Sequence, residues 1–198
     1  MIVIIASGMG NIASVEKSIK YIGTAVIIST DITIISNASS IILPGVGSFK
    51  QGMENLIQRN LINVLTEEVI KKKKPFLGIC LGMQLIMDKG YEPVETDGLG
   101  WIKGEVIPIE NQKLPLPHLG WNNIYSNGVK EDNIDNNFFF IHSYHVTLNE
   151  SVETTFVDYE FPIVASLKKD NIFATQFHPE KSQNAGLDLL NNFFTSHA

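Results

Sequence analysis

Two patterns alternate along this chain, and the alternation is what most constrains its fold. Met1–Ala6 is an unbroken apolar run stopped by Ser7-Gly8, as expected of a strand covered on both sheet faces. Helical spacing follows at once. Ile12, Val15, Ile19 and Ile22 recur across 11–22, and Gly23 stands where a helix C-cap belongs. Ala25–Ile28 reads as a second strand, and Ser40–Leu43 as a third, closed by Pro44-Gly45. Residues 52–72 carry Met53, Leu56, Ile57, Leu61, Leu65, Val69 and Ile70, which predicts one broken helix or two. Residues 75–79 form a fourth buried run, Leu81–Met87 begins another helix, and Ile172–Phe177 and Leu187–Phe194 close the series. Strands and helices in this order predict an α/β fold: an open, mostly parallel, doubly wound sheet with helices on both faces. The short strand-like runs between Gly98 and Lys168 predict a small antiparallel extension. With 198 residues, the expectation is one domain spanning 1–198.

Charge and cysteine content exclude several classes. A formal net charge of −6 argues against nucleic acid or an anionic membrane as partner, since both need a basic face. The run Lys71–Lys74 reads as a solvated helix end favoured by the macrodipole. No apolar run approaches membrane-spanning length, and the N-terminus lacks the basic and small-residue marks of a targeting segment. The chain has one cysteine, so no disulfide framework exists and a cytoplasmic protein is expected.

That cysteine stands in a distinctive turn. Gly78-Ile79-Cys80-Leu81-Gly82 is G-x-C-x-G between a buried strand and a helix, the thiol form of a nucleophile elbow. The glycines let backbone pass closely, and the following helix points its N-terminus at the sulfur, favouring thiolate. The Leu81 N–H is a candidate oxyanion donor. A cysteine nucleophile needs a base. His178-Pro179-Glu180 follows the last strand, at the sheet edge where α/β proteins place their sites. Glu180 is suited to orient His178 and stabilise its imidazolium. The loop Pro44-Gly45-Val46-Gly47 lies beside the elbow in a doubly wound order, as a second oxyanion donor or a plain tight turn. His142 and His145 are three apart in a strand-like run and so face opposite ways, with no carboxylate or cysteine cluster to complete a metal site; neither metal nor cofactor is expected. A competing motif remains. Gly8, Gly10 and Ala13 match G-x-G-x-x-A after the first strand, with Asp31 near the ribose-binding position of a dinucleotide fold. A Cys-His peptidase or hydrolase is a further alternative.

Pro44-Gly45-Val46-Gly47, Gly78–Leu85 and Gln176–Ser182 together resemble the class I (triad) glutamine amidotransferases. Gly8-Met9-Gly10-Asn11, Pro117-His118-Leu119-Gly120-Trp121-Asn122 and Ile141-His142-Ser143-Tyr144 narrow the resemblance to the HisH-type glutaminase subunits of imidazole glycerol phosphate synthase. The resemblance spans nearly the whole chain. It implies Cys80 as nucleophile, His178 as base and acid, and Glu180 as its orienter. It implies an oxyanion hole from Leu81 and the Gly45, Val46, Gly47 peptides, and substrate contacts from Gln84, Ser143 and Tyr144. It implies a heterodimer with a HisF-type (β/α)8 cyclase subunit through Asn11, His118 and Trp121, with ammonia passing to that partner for histidine biosynthesis. The chain itself shows no Walker loop and no basic cluster for a ribotide phosphate, consistent with an acceptor held elsewhere. Ala6-Ser7, His145 and Lys89–Pro93 depart from the usual family residues, which keeps open a paralogue supplying ammonia for surface-sugar amidination.

Overall fold

The computed structural model describes residues 1–110, 113–126 and 136–195. Its strands are β1 (Ile2–Ile5), β2 (Val26–Ser29), β3 (Ser40–Gly45), β4 (Phe76–Cys80), β5 (Lys89–Gly90), β6 (Thr96–Asp97), β7 (Gly104–Pro108), β8 (His118–Tyr125), β9 (Asn137–His142), β10 (Tyr144–Leu148), β11 (Glu153–Tyr159), β12 (Phe161–Lys169) and β13 (Ile172–Thr175). Its helices are α1 (Ile12–Tyr21), α2 (Ile32–Asn37), α3 (Phe49–Gln58), α4 (Leu61–Thr66), α5 (Leu81–Gln84) and α6 (Gln183–Thr195).

One sheet runs β2-β1-β3-β4-β13-β12-β11-β8-β9. From β2 to β13 the neighbours are parallel, and from β13 outward they are antiparallel. A second sheet, β10-β7-β5-β6, stands beside it. The antiparallel part is therefore larger than the small extension expected from the sequence. Alternation along β1 shows why both faces need helices. Ile2 and Ile4 pack with Val15 and Ile19 of α1 and Leu190, Phe193 and Phe194 of α6. Val3 and Ile5 pack on the other face with Ile35 of α2, Met53 and Leu56 of α3, and Leu61 and Leu65 of α4.

The region 52–72 is two helices. Asn60, at φ 55, breaks the path between α3 and α4, and α4 runs on into a wide turn at Glu67–Lys71. The helix expected over Leu81–Met87 stops at Gln84. The carbonyls of Leu85, Ile86 and Met87 accept hydrogen bonds from the backbone of Leu99, Trp101 and Gly100, which draws that segment out of helical pairing. Among the described residues, no helix is long and apolar enough to cross a membrane.

Candidate active site

Four loops meet at the carboxyl edge of the parallel strands, the edge where an open α/β sheet presents ligands. They follow β1, β3, β4 and β13. Cys80 is the last residue of β4, with φ 54 and ψ −107. This conformation is sparsely populated for a residue with a Cβ and costs about 1–3 kcal/mol. Its flanking glycines are required by space. A Cβ on Gly82 would lie 1.8 Å from the Leu43 carbonyl oxygen, and one on Gly78 would lie 2.8 Å from that of Gly82. The elbow is thus clamped against β3 while the strain falls on Cys80 itself.

His178 is held by β9. Its N–H donates to the Phe139 carbonyl at 2.9 Å, and its carbonyl accepts from Ser182 Oγ at 2.7 Å. The Phe139 N–H in turn donates to Ser182 Oγ at 3.0 Å. His178 Nδ1 lies 2.7 Å from Glu180 Oε1, with both side chains nearly inaccessible at 3% and 2% exposure. Among the described residues, Nε2 is buried with no hydrogen-bond partner. Burial alone would lower the imidazole pKa. The neighbouring Cys80 sulfur and the Glu180 carboxylate outweigh it and push the pKa up to about 10. The balance favours the imidazolium form of His178 at neutral pH.

Beside these groups lies a cavity of about 310 Å³, lined by Val46, Gly47, Cys80, Leu81, Gln84 and Glu92 on one side and Pro117, Ile141, His142, Ser143 and Tyr144 on the other. Gly45 pairs across to Cys80 in the β3–β4 register, so the Gly45–Gly47 turn and the Leu81 N–H share one rim. Ser143 and Tyr144 reach the cavity where the chain passes from β9 to β10. Their carbonyls are already engaged, by the Ile109 N–H and by Gln84 Nε2 respectively. Gln84 spends its amide N–H groups on Tyr144 at 3.2 Å and on Gln176 Oε1 at 3.0 Å. A larger cavity, about 520 Å³, lies between α6 and the antiparallel strands and holds none of the candidate residues.

Three further residues belong to this site, though the sequence motifs assign none of them a role in it. Gln176 is fully buried and directs Nε2 at Cys80 Sγ from 3.6 Å. Glu92 lines the cavity, and burial raises its carboxyl pKa while a Phe49 N–H opposes that rise. His142 joins the cavity wall to His118, Nε2 to Nδ1, at 3.0 Å. An isolated amide or carboxylate has no motif spacing. Only the neighbourhood of Gln176 in a strand-end run near His178 marked it at all.

The expected interface residues divide. Trp121 is 43% exposed and meets the Phe139 ring edge-on, and its neighbour Leu119 is also exposed. Asn11 is exposed but caps α1 through Ser14 N–H at 3.2 Å. His118 does not present its ring to a partner: it is 1% exposed, stacked on Phe140 and Tyr159. Pairing of β8 with β9 turns its side chain inward. The dinucleotide alternative also lacks its geometry. Asp31 caps α2 through the N–H groups of Thr33 and Ile34, at 2.7 and 3.1 Å. The Gly8–Gly10 turn is packed against Arg59 and Gly45.

The family model for glutamine amidotransferase class-I matches residues 3–197. Imidazole glycerol phosphate synthase subunit HisH 1 of Campylobacter jejuni subsp. jejuni (strain 81-176) is 45% identical over 200 residues, covering 98% of each chain. The HisH subunit of Aquifex aeolicus is 45% identical, covering 96% of this chain and 94% of its own. A crystal structure of a glutamine amidotransferase superposes with a TM-score of 0.77 over 98% of both chains, and at 16% identity this likeness concerns the fold alone.

Proposed function

The chain belongs to the class I glutamine amidotransferase family, and on that premise we propose that residues 1–198 act as one domain, the glutaminase subunit of an imidazole glycerol phosphate synthase. The observation that carries this reading is a strained, cavity-lining Cys80 beside the buried His178–Glu180 pair. The full-length similarity to HisH subunits supports the assignment to that synthase.

The resting site is an imidazolium next to the sulfur, so the proton that the leaving group needs is already on His178. Cys80 thiolate attacks the side-chain carbonyl carbon of glutamine. The Leu81 N–H and a peptide N–H of the Gly45–Gly47 turn receive the developing oxyanion. His178 passes its proton to the amide nitrogen, the C–N bond breaks, and ammonia leaves a glutamyl thioester. Neutral His178 then takes a proton from water, whose oxygen attacks the thioester. The C–S bond breaks, glutamate departs, and thiolate and imidazolium are restored. Glu180 holds the imidazole in the tautomer that aims Nε2 at the reaction. The half-buried Glu92 side chain at the cavity wall is placed for the substrate ammonium, and Ser143, Tyr144 and Gln84 line the same cavity.

Ammonia made here has to reach an acceptor on another chain. The partner is a HisF-type (β/α)8 cyclase, docked on the face carrying Trp121 and Asn11, in a cytoplasmic complex. The test is Cys80→Ala assayed with that cyclase. Glutamine-dependent synthesis is lost by at least about a thousandfold, while ammonia-dependent synthesis by the cyclase continues. Persistent glutamine hydrolysis by the variant would remove Cys80 from the nucleophile role. Failure of every HisF-type cyclase to turn over with the wild-type chain, glutaminase intact, would redirect the ammonia to another acceptor such as a surface sugar.

A further inference from the structure

An unbroken hydrogen-bond chain runs from β8 to the sulfur, and its direction is fixed by chemistry. A carbonyl only accepts, so His142 Nδ1, 2.8 Å from the Tyr144 oxygen, carries its proton. His142 Nε2 is then an acceptor, and His118 Nδ1, 3.0 Å away, is the donor. His118 Nε2 accepts in turn from Asn122 Nδ2 at 2.7 Å. The Tyr144 carbonyl takes a second bond from Gln84 Nε2, which also donates to Gln176 Oε1. With its oxygen so engaged, the Gln176 amide can turn only its nitrogen to Cys80 Sγ, 3.6 Å away. Gln84, Gln176, His118 and His142 are all buried. A broken link strands a polar group out of reach of water, so each bond holds the next.

We propose that His118 and His142 are positioning residues for the nucleophile, fixing the Tyr144 carbonyl and through it the two glutamines that present an N–H to Cys80. The inference rests on Cys80 being the glutaminase nucleophile, and it gives the buried histidine pair a role that neither partner docking nor metal binding supplies. Both rings act in the neutral form. Burial holds the His118 pKa down to about 4, and holds that of His142 down to about 3 against the opposing bond to Tyr144. His118 also lies on the strand whose outward face carries Leu119 and Trp121.

The test uses the full chain and its one cysteine, so alkylation by iodoacetamide reports Cys80 alone. His118→Phe keeps the stacking slot between Phe140 and Tyr159 but deletes the donor to His142. Its alkylation rate at pH 7 is expected to fall about tenfold, with the pH profile displaced to higher pH and thermal unfolding still cooperative. His118→Asn, which returns an N–H at the Nδ1 position, is expected to recover most of the rate. An unchanged rate and profile in His118→Phe overturns the proposal, as does an Asn variant no better than Phe. Should His118→Phe not fold, imidazole nitrogen NMR of the wild-type chain decides. Both rings are expected as neutral Nδ1–H tautomers at pH 7, and an Nε2–H form of either ring overturns the chain. Alkylation needs no glutamine. Loss of this inference and loss of the glutaminase reading, tested by Cys80→Ala, are therefore separate results.

Discussion

Cys80 shows how one residue concentrates the demands of the site. The spacing G-x-C-x-G was legible because both glycines answer a steric need, the close passage of β4 and α5 over β3. Which residue bears the unfavourable backbone was not legible, since φ depends on how the turn is clamped. The structure puts that strain on Cys80, at φ 54, and leaves both flanking glycines at ordinary angles. Replacement at this position therefore separates strain from chemistry. Cys80→Gly and Cys80→Ala both lack the thiol, but only glycine adopts this backbone freely. The glycine variant is expected to be more stable than the alanine variant by about 1 kcal/mol, measured by urea unfolding. Equal stabilities would mean that the turn relaxes when the thiol is removed. Gln84 and Gln176 were harder to read. The resemblance marks Gln84 as a substrate contact, yet its N–H groups face inward to Tyr144 and Gln176. That orientation depends on the Tyr144 carbonyl in β10 and the Gln176 side chain just after β13, 60 and 92 residues away in sequence.

At the scale of elements, strands buried on both faces were the easiest to find, because a continuous apolar run has few other uses. The helix after the nucleophile was overestimated. Its pattern continues past Gln84, but the 98–102 segment competes for the carbonyls of Leu85, Ile86 and Met87. Four residues carry little macrodipole, so the sulfur's electrostatic partner is chiefly the His178 imidazolium. The lysine run gives a second lesson. Lys71, Lys72 and Lys73 are exposed, as a solvated helix end should be, yet Lys74 is only 11% exposed. Its Nζ lies 2.8 Å from Glu68 Oε2 and donates to the carbonyls of Ile35 and Ser36, at 3.0 and 2.8 Å. It ties the turn after α4 to the end of α2. Removing one partner of a buried pair strands the other charge. Lys74→Met is expected to destabilise the chain by about 3 kcal/mol, whereas Lys73→Ala changes stability by less than about 0.5 kcal/mol. Chemical denaturation of the two variants checks this, and equal losses would show that Glu68 is neutralised by Lys72 alone.

Across the whole molecule, the parallel half and the antiparallel half differ in how openly the sequence declares them. The parallel strands are local units, each followed by its helix. The antiparallel strands depend on distant pairing, and their half-exposed faces give weak alternation. The pairing of β8 with β9 brings His118 opposite His142, and Tyr159 from β11 closes the stack over His118. Nothing local in the sequence foretells that these rings are buried together. Their burial has a global consequence. His118 and His142 stay neutral when folded down to about pH 4 and about pH 3, and His145 is also depressed by burial. In the unfolded chain each takes up a proton near pH 6.5. Below that pH the unfolded state binds more protons, so stability falls as pH falls. The stabilising carboxylates Glu68, Asp88 and Glu150, held by lysines below their usual range, begin to lose their contribution only below about pH 4.5. Between pH 6.5 and 4.5 the loss therefore comes from the buried neutral histidines, opposed in part by Glu92, whose raised carboxyl takes up its proton earlier in the folded chain. His118 and His142 are each expected to lower stability by about 2 kcal/mol between pH 7 and pH 5, while His178, already protonated when folded, offsets part of that loss as the unfolded chain takes up its proton. Urea unfolding across that interval should show the decline in the wild-type chain and a shallower slope in His118→Phe. A wild-type curve that is flat from pH 7 to pH 5 would mean the histidine pair is already open to water and protons in the folded state.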